Sequence, residues 1–284
     1  MQIIIAKSAG FCFGVRRALE LVEAALNAEE KSPIFSLGPL IHNPTVVKGL
    51  EAKGLHVVNQ IEEVPEGRVV IRSHGVGPGI YQYAKEKNLE VIDATCPFVK
   101  NVHQLAVLLK KEGYQLIIIG EREHAEVKGV LDSAAGEALI VSSPTELEQM
   151  NLELKVGIIS QTTQDINNFQ QIVCQIVKRT KECRVFNTIC LATSKRQQEV
   201  AELSKQVDLV IVVGGKNSAN TCRLAEIAAN NGTLTYHVES AAELQTDWFQ
   251  DKKVVGITAG ASTPDSQINA VVEKIKSLGG IISD

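Results

Sequence analysis

Three short apolar runs in this chain each end in a cysteine that opens a helix-like pattern. "QIIIAKSAGFC" leads into "FGVRRALELVEAALN", "LEVIDATC" into "PFVKNVHQLAVLLKK", and "CRVFNTIC" into "LATSKRQQEVAELSKQ". In the first helical stretch Val15, Ala18, Leu19, Val22, Ala25 and Leu26 recur at the spacing of one helical face. After each helix comes a strand-like run ending in glycine, at Gly38, Gly120 and Gly214, and four residues beyond stand His42, His124 and Ser218. Another helix-like stretch follows, closed by the kind of glycine that ends helices. A further strand pattern then brings His74, Thr162 and Ser262 to a strand end. Self-similarity on this scale marks a chain assembled from copies of one supersecondary unit.

Strand and helix patterns that alternate in this way predict an α/β fold with mostly parallel sheets covered by helices. The copies divide the chain at 13–95, 96–189 and 190–284, with the N-terminal strand in 1–12 joining the third. In such sheets ligands bind outside the carboxyl ends of the strands. The three cysteines, the three residues after the glycines and the three second-strand residues all fall at that edge. Units related by a pseudo-threefold axis would bring the edges together around one central cavity.

The totals fit an ordinary globular protein: 284 residues, 44% hydrophobic, 22% charged, net charge −4. No apolar run reaches the ~20 residues that cross a bilayer, and "MQIIIAKSAGF" lacks the basic start of an export signal. The mild acidity gives no sign of a nucleic-acid partner. A cytoplasmic enzyme acting on a small molecule is the class that remains. There are six cysteines and no C-x-x-C pair, which argues against a zinc ribbon, a thioredoxin motif or a bacterial ferredoxin run.

Three thiolates with no fourth in an equivalent place could hold a 4Fe–4S cluster by three irons and leave the fourth open. They could also bind zinc, or be buried structural thiols. The spacings of 84 and 94 residues carry no local metal signature. Cys174 reads as core on an apolar helix face, and Cys183 and Cys222 as structural. His42, His74, His124, Ser218, Asn220 and Ser262 offer hydrogen-bond donors near helix starts, where unpaired N–H groups favour anions. A phosphate or diphosphate suits that set; separate helix caps are the alternative. No P-loop or dinucleotide fingerprint is present. Glu126, two residues after His124, is either a proton donor with a raised pKa in a closed cavity or an exposed glutamate favoured by the helix dipole.

The ordered motifs "GFCFGVRRA", "LGPLIHNP", "RSHGV", "DATCP", "HAEVKG", "SQTT", "NTIC", "KNSANT" and "TAGASTPD" resemble those of the LytB-type reductases of 4-hydroxy-3-methylbut-2-enyl diphosphate, from about residue 10 to residue 265. The resemblance implies reductive removal of the allylic hydroxyl, giving isopentenyl and dimethylallyl diphosphates as the last step of the methylerythritol phosphate route. It implies one 4Fe–4S cluster on Cys12, Cys96 and Cys190. His42, His74, His124, Ser218, Asn220 and Ser262 would surround the diphosphate, while Glu126, His124 and Thr162 would deliver a proton to the hydroxyl. Electrons would come from a ferredoxin or flavodoxin. Two departures stand out: Ala125 where the family commonly has proline, and Ala219 where it often has a serine. A quinolinate synthase-like enzyme and an iron–sulfur sensor are the rival readings; "HAEVKG" and "KNSANT" argue against the first.

Overall fold

The computed structural model of the chain describes residues 1–29 and 32–282. Its strands are β1 (Gln2–Ile5), β2 (Ile34–Leu37), β3 (Leu55–Val58), β4 (Arg68–Ile71), β5 (Glu90–Asp93), β6 (Gln115–Ile119), β7 (Leu139–Val141), β8 (Lys155–Ser160), β9 (Glu182–Val185), β10 (Leu209–Val213), β11 (Leu234–Val238), β12 (Val254–Ala259) and β13 (Ile281–Ile282). The helices are α1 (Phe13–Leu26), α2 (Pro44–Glu51), α3 (Pro78–Glu86), α4 (Pro97–Lys111), α5 (Ala125–Ser133), α6 (Pro144–Glu148), α7 (Ile166–Val177), α8 (Leu191–Leu203), α9 (Ala219–Asn230) and α10 (Asp265–Ser277). Among the described residues no helix is long and apolar enough to cross a membrane.

The strands form three sheets, ordered β3-β2-β4-β5, β7-β6-β8-β9 and β11-β10-β12-β1-β13, and every pairing among them is parallel. The protein is therefore α/β, with three parallel sheets and their helices. Each sheet repeats one topology. The glycine-ended strand (β2, β6 or β10) lies between the next strand in the chain and the one after that. The strand that leads to a cysteine (β5, β9 or β1) comes next on the same side, and in the third sheet β13 follows it at the edge. The third sheet obtains that strand from the N-terminus, because Gln2–Ile5 pairs in register with Val254–Ile257. Central strands such as "LVIVV" at 209–213 are wholly buried, as apolar runs covered on both faces must be. Gly54, Gly136 and Gly232, which follow α2, α5 and α9, all have positive φ, as the sequence pattern predicts.

Packing groups the chain into two compact bodies. One comprises Met1–Val15, Ile41–Val46 and Leu191–Asp284; the other comprises Arg16–Leu40 and Val47–Cys190 and contains the first two sheets.

One expectation fails in this packing. Cys174 is exposed. The inward face of α7 is set by Phe169, Ile172 and Ile176, and Cys174 lies two residues from Ile172, about 200° around the helix. Its apolar neighbours in sequence disguised that position.

Candidate active site

Strand order places the marked residues. In each sheet the order reverses between the glycine-ended strand and its neighbour, β4, β8 or β12, the kind of position at which open α/β sheets bind ligands. His42, His124 and Ser218 come in the chain after the glycine-ended strands, and His74, Thr162 and Ser262 after β4, β8 and β12.

The body containing Arg16–Leu40 and Val47–Cys190 carries Glu126, His124, Thr162 and His74. Glu126 stands in the first turn of α5 and is 2% exposed. Its Oε1 accepts the Thr162 backbone N–H at 2.6 Å, and its Oε2 accepts the Thr162 hydroxyl at 2.7 Å. Burial pushes the carboxyl from its usual 4.5 up to about 7, against the two Thr162 bonds, which pull it down. Of the two sequence readings of Glu126, the exposed helix-start glutamate is therefore excluded. His124 is the N-cap of α5, and its Nδ1 accepts the Glu126 N–H at 3.2 Å. That bond assigns the ring proton to Nε2. The His74 ring stands edge-on to His124 with centroids 5.6 Å apart.

The other body carries a polar group built on the glycine-rich strand ends. Ser218 is the N-cap of α9, with its Oγ accepting the Thr221 N–H at 3.4 Å. Asn220, in the same first turn, is 4% exposed, and neither atom of its side-chain amide has a partner among the described residues. Burying an amide in that state costs about 1–3 kcal/mol. Ser262 donates from Oγ to the His42 carbonyl at 3.0 Å. Asn43 holds the same loop, donating to the Ser262 carbonyl at 2.9 Å and to Gln267 Oε1 at 2.8 Å, and accepting the Val46 N–H at 3.2 Å. Sequence reasoning passed over Asn43, although an Asn-Pro pair opening a helix is a readable turn signal. Gly215 is glycine for lack of room: a Cβ there would lie 2.8 Å from the His42 carbonyl oxygen. The capping alternative thus holds in part, since His124 and Ser218 cap their helices while Asn43, not His42, caps α2.

The register of the sheets corrects one equivalence in the repeat. Cys96, Cys190 and Cys12 donate their N–H groups to the carbonyls of Ser73, Thr162 and Ala261 at 3.0, 3.0 and 3.1 Å. Thr162 therefore matches Ser73 and Ala261, and Thr163 is the counterpart of His74 and Ser262. The one-residue slip arose because "SQTT" offers two threonines in succession. It does not move Thr162 away from Glu126.

All three cysteines are half-buried and outside any disulfide, and each is fixed by that backbone bond just before its helix. Cys96 is the N-cap of α4, and Pro97, at the first helical position, has no N–H to leave unsatisfied. None of α1, α4 and α8 has an acidic residue in its first turn, so no carboxylate of that turn competes with the cysteine before it. Soft sulfur ligands of this kind suit an iron–sulfur cluster or zinc. The other cysteines are placed differently. Cys183 packs against the core of the second sheet, and burial raises its thiol; Cys222 donates its thiol to the Lys216 carbonyl.

The model of the LytB protein family matches residues 3–276. The chain belongs to the LytB family. A 4-hydroxy-3-methylbut-2-enyl diphosphate reductase of Syntrophotalea carbinolica is 46% identical over 279 residues, covering 98% of this chain and 99% of that protein. One from Geobacter sulfurreducens is 45% identical over 278 residues and covers 98% of each. Among solved structures, the E-1-hydroxy-2-methyl-but-2-enyl-4-diphosphate reductase of Plasmodium falciparum matches with a TM-score of 0.91 at 30% identity, covering 95% of this chain and 86% of that one. A second, described as an (E)-4-hydroxy-3-methyl-but-2-enyl diphosphate reductase and the terminal enzyme of the non-mevalonate pathway, matches with a TM-score of 0.70 at 45% identity over 97% and 99% of the chains. Membership in LytB over this length sets aside the quinolinate synthase-like alternative.

Proposed function

We propose that this chain reduces 4-hydroxy-3-methylbut-2-enyl diphosphate to isopentenyl and dimethylallyl diphosphates, with Glu126 as the proton donor. The observation that carries the assignment of roles is the buried Glu126 carboxyl, held on both oxygens by Thr162 and pushed up to about 7. The overall change consumes two electrons and two protons: the allylic C–O bond breaks, the oxygen leaves as water and a C–H bond forms.

Cys12, Cys96 and Cys190 would hold one 4Fe–4S cluster, which when bound supplies the electrons and a Lewis-acidic iron for the hydroxyl. The rest falls to side chains of this chain. Near neutral pH much of Glu126 keeps its proton, which an ordinary carboxyl would have lost. The Thr162 hydroxyl both donates and accepts, so it can pass that proton onward while its N–H keeps the carboxyl in place. His124, with its tautomer set by the Glu126 N–H, presents Nε2–H to a substrate oxygen. Asn220 and Ser218 at the start of α9, with Ser262, His42 and His74, would bind the diphosphate through neutral donors and a helix N-terminus. Where the family often has a serine, Ala219 offers no hydroxyl. The electron source would be a ferredoxin or flavodoxin. Six cysteines, none in a disulfide, suit a reducing compartment such as the cytoplasm.

The test is anaerobic purification with iron and sulfide counts, followed by assay with reduced viologen, for the native chain and Glu126→Gln. Native iron with release of both five-carbon diphosphates is expected. The variant should keep its iron and lose about 10²–10⁴-fold in turnover. Near-native turnover by Glu126→Gln would remove it from the proton-donor role.

A further inference from the structure

Two arginines lie outside the chemistry above. Arg17, on α1 five residues after Cys12, donates from Nη1 to the Thr95 carbonyl at 3.2 Å and from Nη2 to the Asp93 carbonyl at 3.5 Å. Both carbonyls belong to the segment that ends in Cys96. Arg196, on α8 six residues after Cys190, is 5% exposed and donates from Nη2 to the Gly10 carbonyl at 2.7 Å. Gly10 stands two residues before Cys12. One turn further along α8, Glu199 accepts the Lys7 N–H at 2.6 Å, the Ser8 N–H at 2.9 Å and the Ser8 hydroxyl. In both cases a helix that starts at one cysteine holds the backbone that delivers another.

These segments need an outside hold. Between a strand end and a helix start the backbone has few ladder partners, and its carbonyls must find donors elsewhere. A guanidinium offers several donors in a rigid planar fork, which a lysine cannot imitate. Around Cys12 there is little slack, because Gly10 has φ +103 and a Cβ there would lie 2.9 Å from Asp265 Oδ1. The segment before Cys190 is fixed by a different device. The Thr188 hydroxyl donates to the Ser160 carbonyl at 2.6 Å and accepts the Ser160 N–H at 2.7 Å, tying it to its own sheet. The sequence of α4, "PFVKNVHQLAVLLKK", contains no arginine to do the work.

We propose that Arg17 and Arg196 are positioning residues for the metal-binding cysteines: Arg196, with Glu199, sets the approach of Cys12, and Arg17 sets that of Cys96. The proposal rests on the reading of these cysteines as cluster ligands. Its consequence is that both approach segments are ordered before any metal arrives, so that binding does not meet the entropy of ordering them.

The test uses the full-length chain and two readouts. The first is backbone amide exchange of the metal-free protein over residues 7–12 and 93–96. The second is the rate of iron release to a chelator after anaerobic reconstitution. Arg196→Gln should speed exchange in 7–12 by about tenfold or more and leave 93–96 unchanged, and Arg17→Gln should do the reverse, since a hydrogen bond from a charged donor contributes about 1.5–3 kcal/mol. Each should also speed iron release by about tenfold. Arg196→Lys should recover only part of either effect. Unchanged exchange, equal loosening of both segments by either variant, or unchanged iron release would overturn the proposal. If Arg196→Gln does not fold, Glu199→Gln loosens the same segment from its other side and is read in the same way. If the native chain takes up no iron while the exchange pattern holds, the ligand reading fails and the backbone hold stands.

Discussion

Burial of Glu126 makes folding stability depend on pH in a direction opposite to that of most carboxylates. Unfolded, the carboxyl titrates near its usual 4.5; folded, it keeps its proton up to about 7. Between those values the folded chain binds more protons than the unfolded one, so stability falls as pH rises. The gap, at about 1.4 kcal/mol for each tenfold in proton affinity, amounts to about 3 kcal/mol once the pH is well above 7. Glu126→Gln removes the titration and keeps the shape. The amide oxygen still accepts the Thr162 N–H, and the amide N–H can donate to the Thr162 hydroxyl. The metal-free variant should match the native chain near pH 4.5 and exceed it by about 3 kcal/mol near pH 8.5, with most of the difference developing between about pH 5 and 7. Urea denaturation of both proteins across that range measures it. A difference that stays flat with pH would show that Glu126 does not hold its proton in the folded chain, and the proton-donor argument would lose its physical basis.

Other substitutions separate the roles of neighbouring side chains. Thr162→Val removes a bond that favours the charged carboxylate, so the alkaline limb of the pH–rate profile should move upward while turnover falls about tenfold or more; Thr162→Ser should restore both. Asn220→Leu should stabilise the ligand-free protein by about 1–2 kcal/mol and raise KM by about tenfold or more, because it removes a buried amide that lacks a partner among the described residues. Loss of stability with unchanged KM would mean the amide serves the fold. Asn43→Ala should raise KM and lower stability by about 2 kcal/mol together, since it frees the His42 loop from Ser262 and uncaps α2; thermal melts and initial rates would show both.

How much could be read from the chain alone depended on what each segment buries. The central strands and glycine-closed helices were legible, because apolar runs and glycine follow directly from burial and positive φ. The repeat led to the expectation that the N-terminal strand joins the third unit, while its place beside β12 emerges only from the pairing of Gln2–Ile5 with Val254–Ile257. Glu126 and Thr162 were legible as a pair only through the family resemblance, because 36 residues separate them and periodicity says nothing of such contacts. The buried face of α8 includes Thr193, Arg196 and Gln197, so its pattern looked solvated and its hold on the segment before Cys12 was invisible. Cys174 was misread for the converse reason, because Ile172 and Ile176 on the inward face of α7 flank it in sequence. Asn43 was overlooked beside His42 because a histidine draws attention as chemistry and an asparagine before proline does not.

The position of β1 also shapes how the chain comes into being. Gln2–Ile5 leaves the ribosome about 250 residues ahead of its partner Val254–Ile257. At about 5–20 residues per second, an apolar strand waits roughly 10–50 seconds with no edge to join. The other two sheets draw all their strands from between Ile34 and Val185 and can close in the meantime. Birth order and assembly order are therefore inverted: β1 is made before the strands of the other two sheets yet is seated after them, and Cys12 can take its final place only once Val254–Ile257 has been synthesised.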